Sequence, residues 1–300
     1  MDKLQSIKVF LEVARRQSFA EAADALGLSA PAASRAIASL EHELKVKLFN
    51  RTTRLVRLTN AGSRFFHDTE RILEDLEEAE SAAAGEYTNL TGTLVVTAPI
   101  LFGRRHVMPI VLEYLTLNNE VTVSALFFDQ LSNIMEEQMD VAIRIGHLKD
   151  SNLYATQVGH IRRVLCASPG YLKKSGKPKR PSDLVNHDII FAAQFENTPV
   201  WTFQDKHKKQ HVKLTPRLQC NRSAMAIDSA VMGYGITRVL SYQVDDELKS
   251  GQLVCVLTDF EEEPLPVNVV HLEGRRANAK TRSFVDLAIE RLRENKVINS

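Results

Sequence analysis

From Ser18 to Leu44 the chain is written as two short helices joined by a tight glycine turn, and no other stretch so narrows what it can fold into. Ser18-Phe19-Ala20-Glu21 is a capping box: the Ser18 hydroxyl can accept from the Glu21 amide while the Glu21 carboxylate reaches back. Ala22, Ala23 and Leu26 give the helix that follows its apolar side, and Gly27 is a natural left-handed residue to end it after two turns. Ser29 can cap the next helix, with Pro31 in its first turn, where backbone amides have no partner inside the helix anyway. Ala33, Ile37, Leu40 and Leu44 continue its inward face, and upstream Leu4, Ile7, Phe10, Leu11 and Ala14 recur at helical spacing. Two short helices that cross steeply leave room only for small side chains, which accounts for Ala22, Ala23 and Ala33. Helix, tight turn, helix is a DNA-binding arrangement.

The outward side of the second helix carries Ser34, Arg35 and Ser39, with Ser29, Ala30 and Pro31 at its start; these are the candidate DNA contacts. Amides at a helix N-terminus can meet phosphate, and Arg35 can reach a guanine edge or a phosphate. Leu48 to Thr59 reads as a two-stranded wing whose Arg51, Thr52, Thr53 and Arg54 suit phosphate or minor-groove contact. Charge supports this. The chain has a net charge of +1, yet Met1–Thr59 holds ten Lys and Arg against six Asp and Glu, while Asn60–Thr88 holds two against eight. Such blocks meet different partners. Lys45, Lys47, Arg51, Arg54 and Arg57 follow one another with no acid among them. A solvated face explains such a run in most proteins; its place beside a candidate reading helix tells for DNA.

FLEVARRQSFAEAADALGLSAPAASRAIASLEHELKVKLFNRTTRLVRLTNAG resembles the N-terminal winged helix-turn-helix of LysR-type transcriptional regulators, through the whole motif without a gap. The resemblance implies that Pro31, Ser34 and Arg35 fall on the base-reading helix and Arg51 to Arg54 on the wing. The family often has Gln just before the proline; here Ala30 stands there, and the base contact a Gln could make is missing.

Thr59 can cap a long helix that begins at Asn60. Phe65, Thr69, Ile72, Leu76, Ala79 and Ala83 step along it as a heptad seam, opposite an acidic face of Glu70, Glu74, Asp75, Glu77, Glu78 and Glu80. The stripe could pack on its own domain. In LysR-type proteins this linker pairs with its copy in a second subunit, so Phe65, Ile72, Leu76, Ala79 and Ala83 are the expected dimerisation residues. A dimer also answers a physical need, because two half-sites multiply a discrimination that one short helix cannot supply.

Beyond Gly92, strand and helix signals alternate: strand 93–98, helix 102–115, strand 121–127, helix 131–138, strand 141–145, strand 161–167, a hairpin at 201–214, helix 223–232, strand 235–239, strand 267–272 and helix 280–295. Such alternation predicts a mainly parallel three-layer α/β domain. QMDVAIRIGHL, VLCASPGYL and VMGYGITRVL resemble the two-lobed, periplasmic-binding-protein-like effector domain of the same family. That implies an architecture of winged helix-turn-helix (1–59), linker and dimerisation helix (60–88) and effector-binding domain (91–300). The first lobe is expected at about 91–161 with 268–300 and the second at 162–267, with two crossovers as the hinge. The family's Pro shortly after Gly-x-Gly-Ile is replaced here within Thr237-Arg238-Val239-Leu240.

Ligands of open α/β sheets bind outside the strand carboxyl ends. Ala98, Pro99, Ile100, Phe102 and Gly103 follow the first strand, Phe128 and Asp129 the second, and Arg144 and Ile145 end the third. Thr202, Asn221, Arg222 and Ser223 are the expected neighbours from the second lobe. Free amides near Pro99–Gly103 would attract an anion, and Arg144 or Arg222 could hold a carboxylate two-pronged. Trp201 is expected to be a packing anchor.

Catalysis finds no support. Gly170 to Lys177 is one residue too long for a phosphate loop and Pro178 replaces its hydroxyl; after His42-Glu43 a Val46 stands where a zinc protease needs its second His. No cofactor or metal is implied. Cys166, Cys220 and Cys255 are far apart with no CxxC, which reads as buried thiols, a redox sensor being the alternative. The 300 residues, 44% hydrophobic and 25% charged, contain no apolar run near the roughly 20 residues of a membrane span. The N-terminus has no secretory pattern, so a cytoplasmic protein is expected. The sequence reading is therefore a DNA-binding regulator whose partners are promoter or operator DNA, a small-molecule effector such as a carboxylate, RNA polymerase, and its own copies as dimer or tetramer. A cytosolic solute-binding module and a thiol-based regulator are the alternatives.

Overall fold

The computed structural model describes residues 2–51, 56–83, 90–129, 139–148, 153–192, 199–205, 208–271 and 278–299. They form two compact units, one ending at Gly92 and one beginning at Thr93. No described helix is long and apolar enough to cross a membrane.

The first unit is built from α1 (Lys3–Arg16), α2 (Phe19–Ala25), α3 (Ala30–Leu44), β1 (Phe49–Arg51), β2 (Val56–Leu58) and α4 (Asn60–Ala83). Its helix starts follow local chemistry. Asp2 accepts from the Gln5 amide at 2.7 Å, Ser18 from Glu21 and Ser29 from Ala32, each at 3.3 Å. Gly27 ends α2 at φ +65°. Ala22, Ala23 and Ala33 are wholly buried where the three helices cross, as their size requires. Phe10 is the hub, with the rings of Phe49 and Phe65 at 5.3 and 5.2 Å. The wing is an antiparallel pair, Phe49 opposite Leu58. Thr59 fastens it to α4: its hydroxyl accepts from the Gly62 amide at 2.9 Å and donates to the Lys47 carbonyl at 2.7 Å. Gly62 is needed there, because a Cβ would lie 2.0 Å from the Leu48 carbonyl oxygen.

The second unit holds two five-stranded sheets. The first sheet has the order β4-β3-β5-β14-β6, from β3 (Gly92–Ala98), β4 (Val121–Phe127), β5 (Val141–Ile145), β6 (Tyr154–Ile161) and β14 (Leu265–His271). The second has the order β11-β8-β12-β7-β13, from β7 (Arg163–Ala167), β8 (Ile189–Ala192), β11 (Pro216–Cys220), β12 (Ile236–Leu240) and β13 (Val254–Val256). A hairpin of β9 (Val200–Asp205) and β10 (Lys208–Lys213) stands beside the second sheet. The helices are α5 (Ile100–Phe102), which runs through a π-helical turn (Gly103–Val107) into α6 (Met108–Leu117), then α7 (Pro169–Ser175), α8 (Ser223–Val231), α9 (Asp245–Lys249) and α10 (Ala279–Glu294).

Both sheets are mixed, about half of their described pairings antiparallel, which corrects the expected mainly parallel domain. β3 runs parallel to β5, and β8 to β11 and β12; but β14 is antiparallel to β5 and β6, and β7 to β12 and β13. Connectivity explains it. The chain leaves the first sheet at the end of β6 and re-enters it at the start of β14, so those two strands must run oppositely. β7 and β13 stand in the same relation in the second sheet. Only Arg162 separates β6 from β7, so the single strand expected over 161–167 is the second half of a longer run. The return to the first sheet already begins at Leu265, inside the span given to the second lobe by sequence. The expected helix at 131–138 lies outside the described residues. α10 closes the first lobe, burying Phe284, Val285, Ala288 and Leu292, with the Phe284 ring 5.2 Å from Tyr114.

Candidate functional site

α3 buries Ala33, Ala36, Ile37, Leu40 and Glu41 and so turns its opposite face to solvent. Ser29, Ala30, Pro31, Arg35 and Ser39 are exposed on that face and Ser34 is half-buried. The Ser29 oxygen is engaged in capping α3. Thr52, Thr53 and Arg54 lie outside the described residues, and of Arg51 only its place in β1 is described. What the sequence reading missed is the clamp that fixes the wing to α3. Glu41 is buried on α3; its Oε1 accepts from the Leu48 and Phe49 amides at 2.9 and 3.2 Å and its Oε2 from Lys47 Nζ at 2.6 Å. Burial raises its pKa, but the Lys47 hydrogen bond and the two amides outweigh that and hold the carboxyl below its ordinary range. Lys47, counted above among basic groups free for DNA, is thus half of a structural pair.

The heptad on α4 divides. Phe65, expected in a dimer seam, packs on Phe10 within its own unit, and Thr69 is buried with its hydroxyl donating to the Phe65 carbonyl at 2.6 Å. Further along the same stripe, Ile72 and Leu76 are 56% and 38% exposed. Ala79 and Ala83 lie further along α4.

Between the two sheets of the second unit opens a cavity of about 600 Å³, within the usual range for small-molecule sites. Pro99, Ile145, Thr202 and Asn221 line it as expected from sequence. Asp129 and Ser223, also expected, line it too, whereas Ala98, Ile100, Phe102, Gly103, Phe128, Arg144 and Arg222 are not among its lining residues. Ala98 is buried at the end of β3 and its carbonyl accepts from the Phe128 amide at 2.9 Å. Phe102 lies wholly inside the fold, its ring 5.2 Å from that of Tyr242. Gly103 is a packing glycine: a Cβ would come within 2.5 Å of the Phe127 ring. Arg144 is half-buried on β5, away from the cavity wall.

One of the expected free amides is already answered. The Ile100 amide donates to Asp129 Oδ1 at 3.1 Å, and Asp129 Oδ2 accepts from Arg222 Nη1 at 3.0 Å. At the second lobe's side of the cavity, Glu262 Oε2 accepts from Arg163 Nη1 at 3.2 Å and from Arg238 Nη2. Arg238 also lies over the Phe203 ring, 5.6 Å from its centroid. Trp201 is both anchor and wall: it is buried, stacked on Phe191 at 6.3 Å, and lines the cavity. Burial pushes all three thiols up, Cys166 to about 12, so none is an activated thiolate.

Residues 4–63 match the family model described as "Bacterial regulatory helix-turn-helix protein, lysR family", and residues 88–293 match "LysR substrate binding domain". The chain belongs to the LysR family. An HTH-type transcriptional repressor of Pseudomonas aeruginosa is 31% identical to this LysR-family chain over 297 residues, 98% of this chain and 94% of the repressor. The structure of CrgA, a LysR-type transcriptional regulator from Neisseria meningitidis, is similar at 27% identity and a TM-score of 0.61, over 97% of this chain and 99% of CrgA. The full-length structure of AphB, a Vibrio cholerae virulence activator, shares the fold at 24% identity and a TM-score of 0.62, over 96% and 99%. This LysR-family chain is accordingly a DNA-binding transcriptional regulator with an effector-binding domain, and its relatives are regulators rather than enzymes.

Sequence reasoning missed Arg163, Arg238 and Glu262 in the cavity wall of this LysR-family regulator. A signal existed for Arg238, which stands where the family's glycine motif departs from its usual ending. None existed for Glu262, one of three consecutive glutamates.

Proposed function

We propose that this LysR-family regulator reads operator DNA as a dimer, in the bacterial cytoplasm, and that a small organic molecule in the cavity of the second unit alters that reading. The observation that carries the proposal is the exposed face of α3. A helix whose other side is wholly committed to a core of alanines and aromatics offers Arg35, Ser39 and its N-terminal turn to solvent. The wing continues that surface with Arg57 exposed on β2. Regulation is supported by the cavity, which has walls from two sheets that the chain links by two crossovers. A ligand there shifts the equilibrium between lobe arrangements by no more than its differential affinity for them.

The test is a gel-shift of the full-length protein on the DNA upstream of its own gene, with and without small molecules that raise its melting temperature. A bound effector should change operator affinity roughly 5- to 150-fold, the usual range of such couplings. A molecule that saturates the cavity and leaves operator affinity unchanged would contradict the regulatory half of the reading. The raised thiols speak against a thiol signal.

A further inference from the structure

Two carboxylate–guanidinium clusters of different balance stand at the cavity: Asp129 lines it and pairs with Arg222, which is not itself a lining residue, while Glu262, Arg163 and Arg238 all line it. Near Asp129 the balance is one to one, and both carboxylate oxygens are used, by the Ile100 amide and by Arg222. Near Glu262 it is not. One carboxylate oxygen receives two guanidiniums, Arg163 and Arg238, so among the described wall residues one positive charge is left over there. Arg238 Nε is buried and has no hydrogen-bond partner among the described residues. Arg238 is 12% exposed and Arg163 42%, so the charge of this pair meets the cavity chiefly through Arg163. The rest of the wall is mixed, with Phe191, Trp201 and Leu265 beside the polar Thr202, Asn221 and Gln243.

From this we infer that the cavity takes an organic monoanion with an apolar body, its carboxylate held by Arg163 and Arg238. In the same inference Asp129 is the specificity residue that limits the ligand to one charge. Asp129 occupies, as a carboxylate of the chain itself, the place beside Arg222 that a second ligand carboxylate would need. It is an exposed pair, 35% and 43%, and therefore weak as a stabilising contact; its effect is on which ligand fits. The inference rests on the proposed effector role of the cavity and adds to it the ligand's charge and orientation.

The experiment uses the full-length protein and two probe series, the linear monocarboxylates from butanoate to octanoate and the α,ω-dicarboxylates from succinate to suberate. A chain-length series makes the outcome independent of the spacing between the clusters. The matching primary amides and alkylamines serve as controls. In wild type, calorimetry should show monocarboxylates binding, with amides, amines and dicarboxylates weaker. Arg163→Gln and Arg238→Gln should each weaken monocarboxylates about tenfold or more, the scale of one charge-assisted hydrogen bond. Arg163 is 42% exposed, so its variant reports even if the Arg238 variant fails to fold. Asp129→Asn frees Arg222 and should raise the affinity of at least one dicarboxylate about tenfold while leaving monocarboxylates near wild type.

Amides binding as well as carboxylates, or Arg163→Gln binding monocarboxylates like wild type, would overturn the anion subsite. Dicarboxylates unmoved by Asp129→Asn would overturn the role of Asp129. The effector reading fails separately: carboxylates would then bind, need Arg163, and leave DNA binding unchanged.

Discussion

Glu41 is the residue on which the reading surface depends, although it touches no candidate DNA contact. Its carboxylate is 2% exposed and ties α3 to the first residues of the wing through two amides and Lys47. Glu41→Gln removes the charge that Lys47 needs and should cost about 1–3 kcal/mol of stability in the first unit, read by chemical denaturation. The pH dependence has a definite sign. A carboxyl held below its ordinary value near 4.5 contributes stability that is complete above that value and is lost as the pH falls through the folded pKa. The gap between wild type and Glu41→Gln should thus be widest at neutral pH and shrink below about pH 4.5. A gap that widens in acid would show that Glu41 is not the anionic clamp. Nothing in the sequence marks Glu41, because Glu41 and Glu43 sit in one helical turn and only the position of the wing decides which is buried. Glu43 stays at the surface, paired with Lys3 at 2.6 Å and half-exposed.

Among the elements, α4 shows how far periodicity carries. The spacing of apolar residues identifies the helix and its apolar side, but not which partner each turn of that side meets. The first turns are claimed by the Phe10 cluster, and Arg15 of α1 adds an ion pair to Glu70 at 2.7 Å. At Ile72 and Leu76 the stripe is open. Ile72→Asp with Leu76→Asp should leave the winged fold intact, since neither side chain belongs to its buried core, and should convert the dimer to monomer because buried charge would go unpaired. Sedimentation showing the wild-type dimer would place the contact elsewhere. The strands divide for a related reason. β3, β5 and β12 are buried runs of β-branched residues and were legible. β11 begins with Pro216 and is mostly exposed on a sheet edge, and the first half of β6 is exposed too, so neither carries an apolar pattern. β13 has only three residues. The cavity suffered likewise: residues at strand ends were legible by position, whereas Arg163 and Glu262 meet only because the two crossovers lie side by side.

At the scale of the whole molecule, a surface that reads DNA and a cavity that takes a ligand belong to separate units of one chain, joined through α4 and the segment after it. On the proposed reading, a ligand in the second unit would act by changing how copies of the regulator present α3. In that reading the wing would bear on affinity for any duplex through phosphate contacts, and α3 on sequence. The most direct test compares wild type with Arg35→Ala on operator and on random duplex, by fluorescence anisotropy at one fixed salt concentration. Binding by α3 predicts that operator affinity falls by about 1–3 kcal/mol, roughly 5- to 150-fold, while affinity for random DNA changes much less. Equal operator affinity of the two proteins, or an equal loss on both duplexes, would contradict base reading by α3.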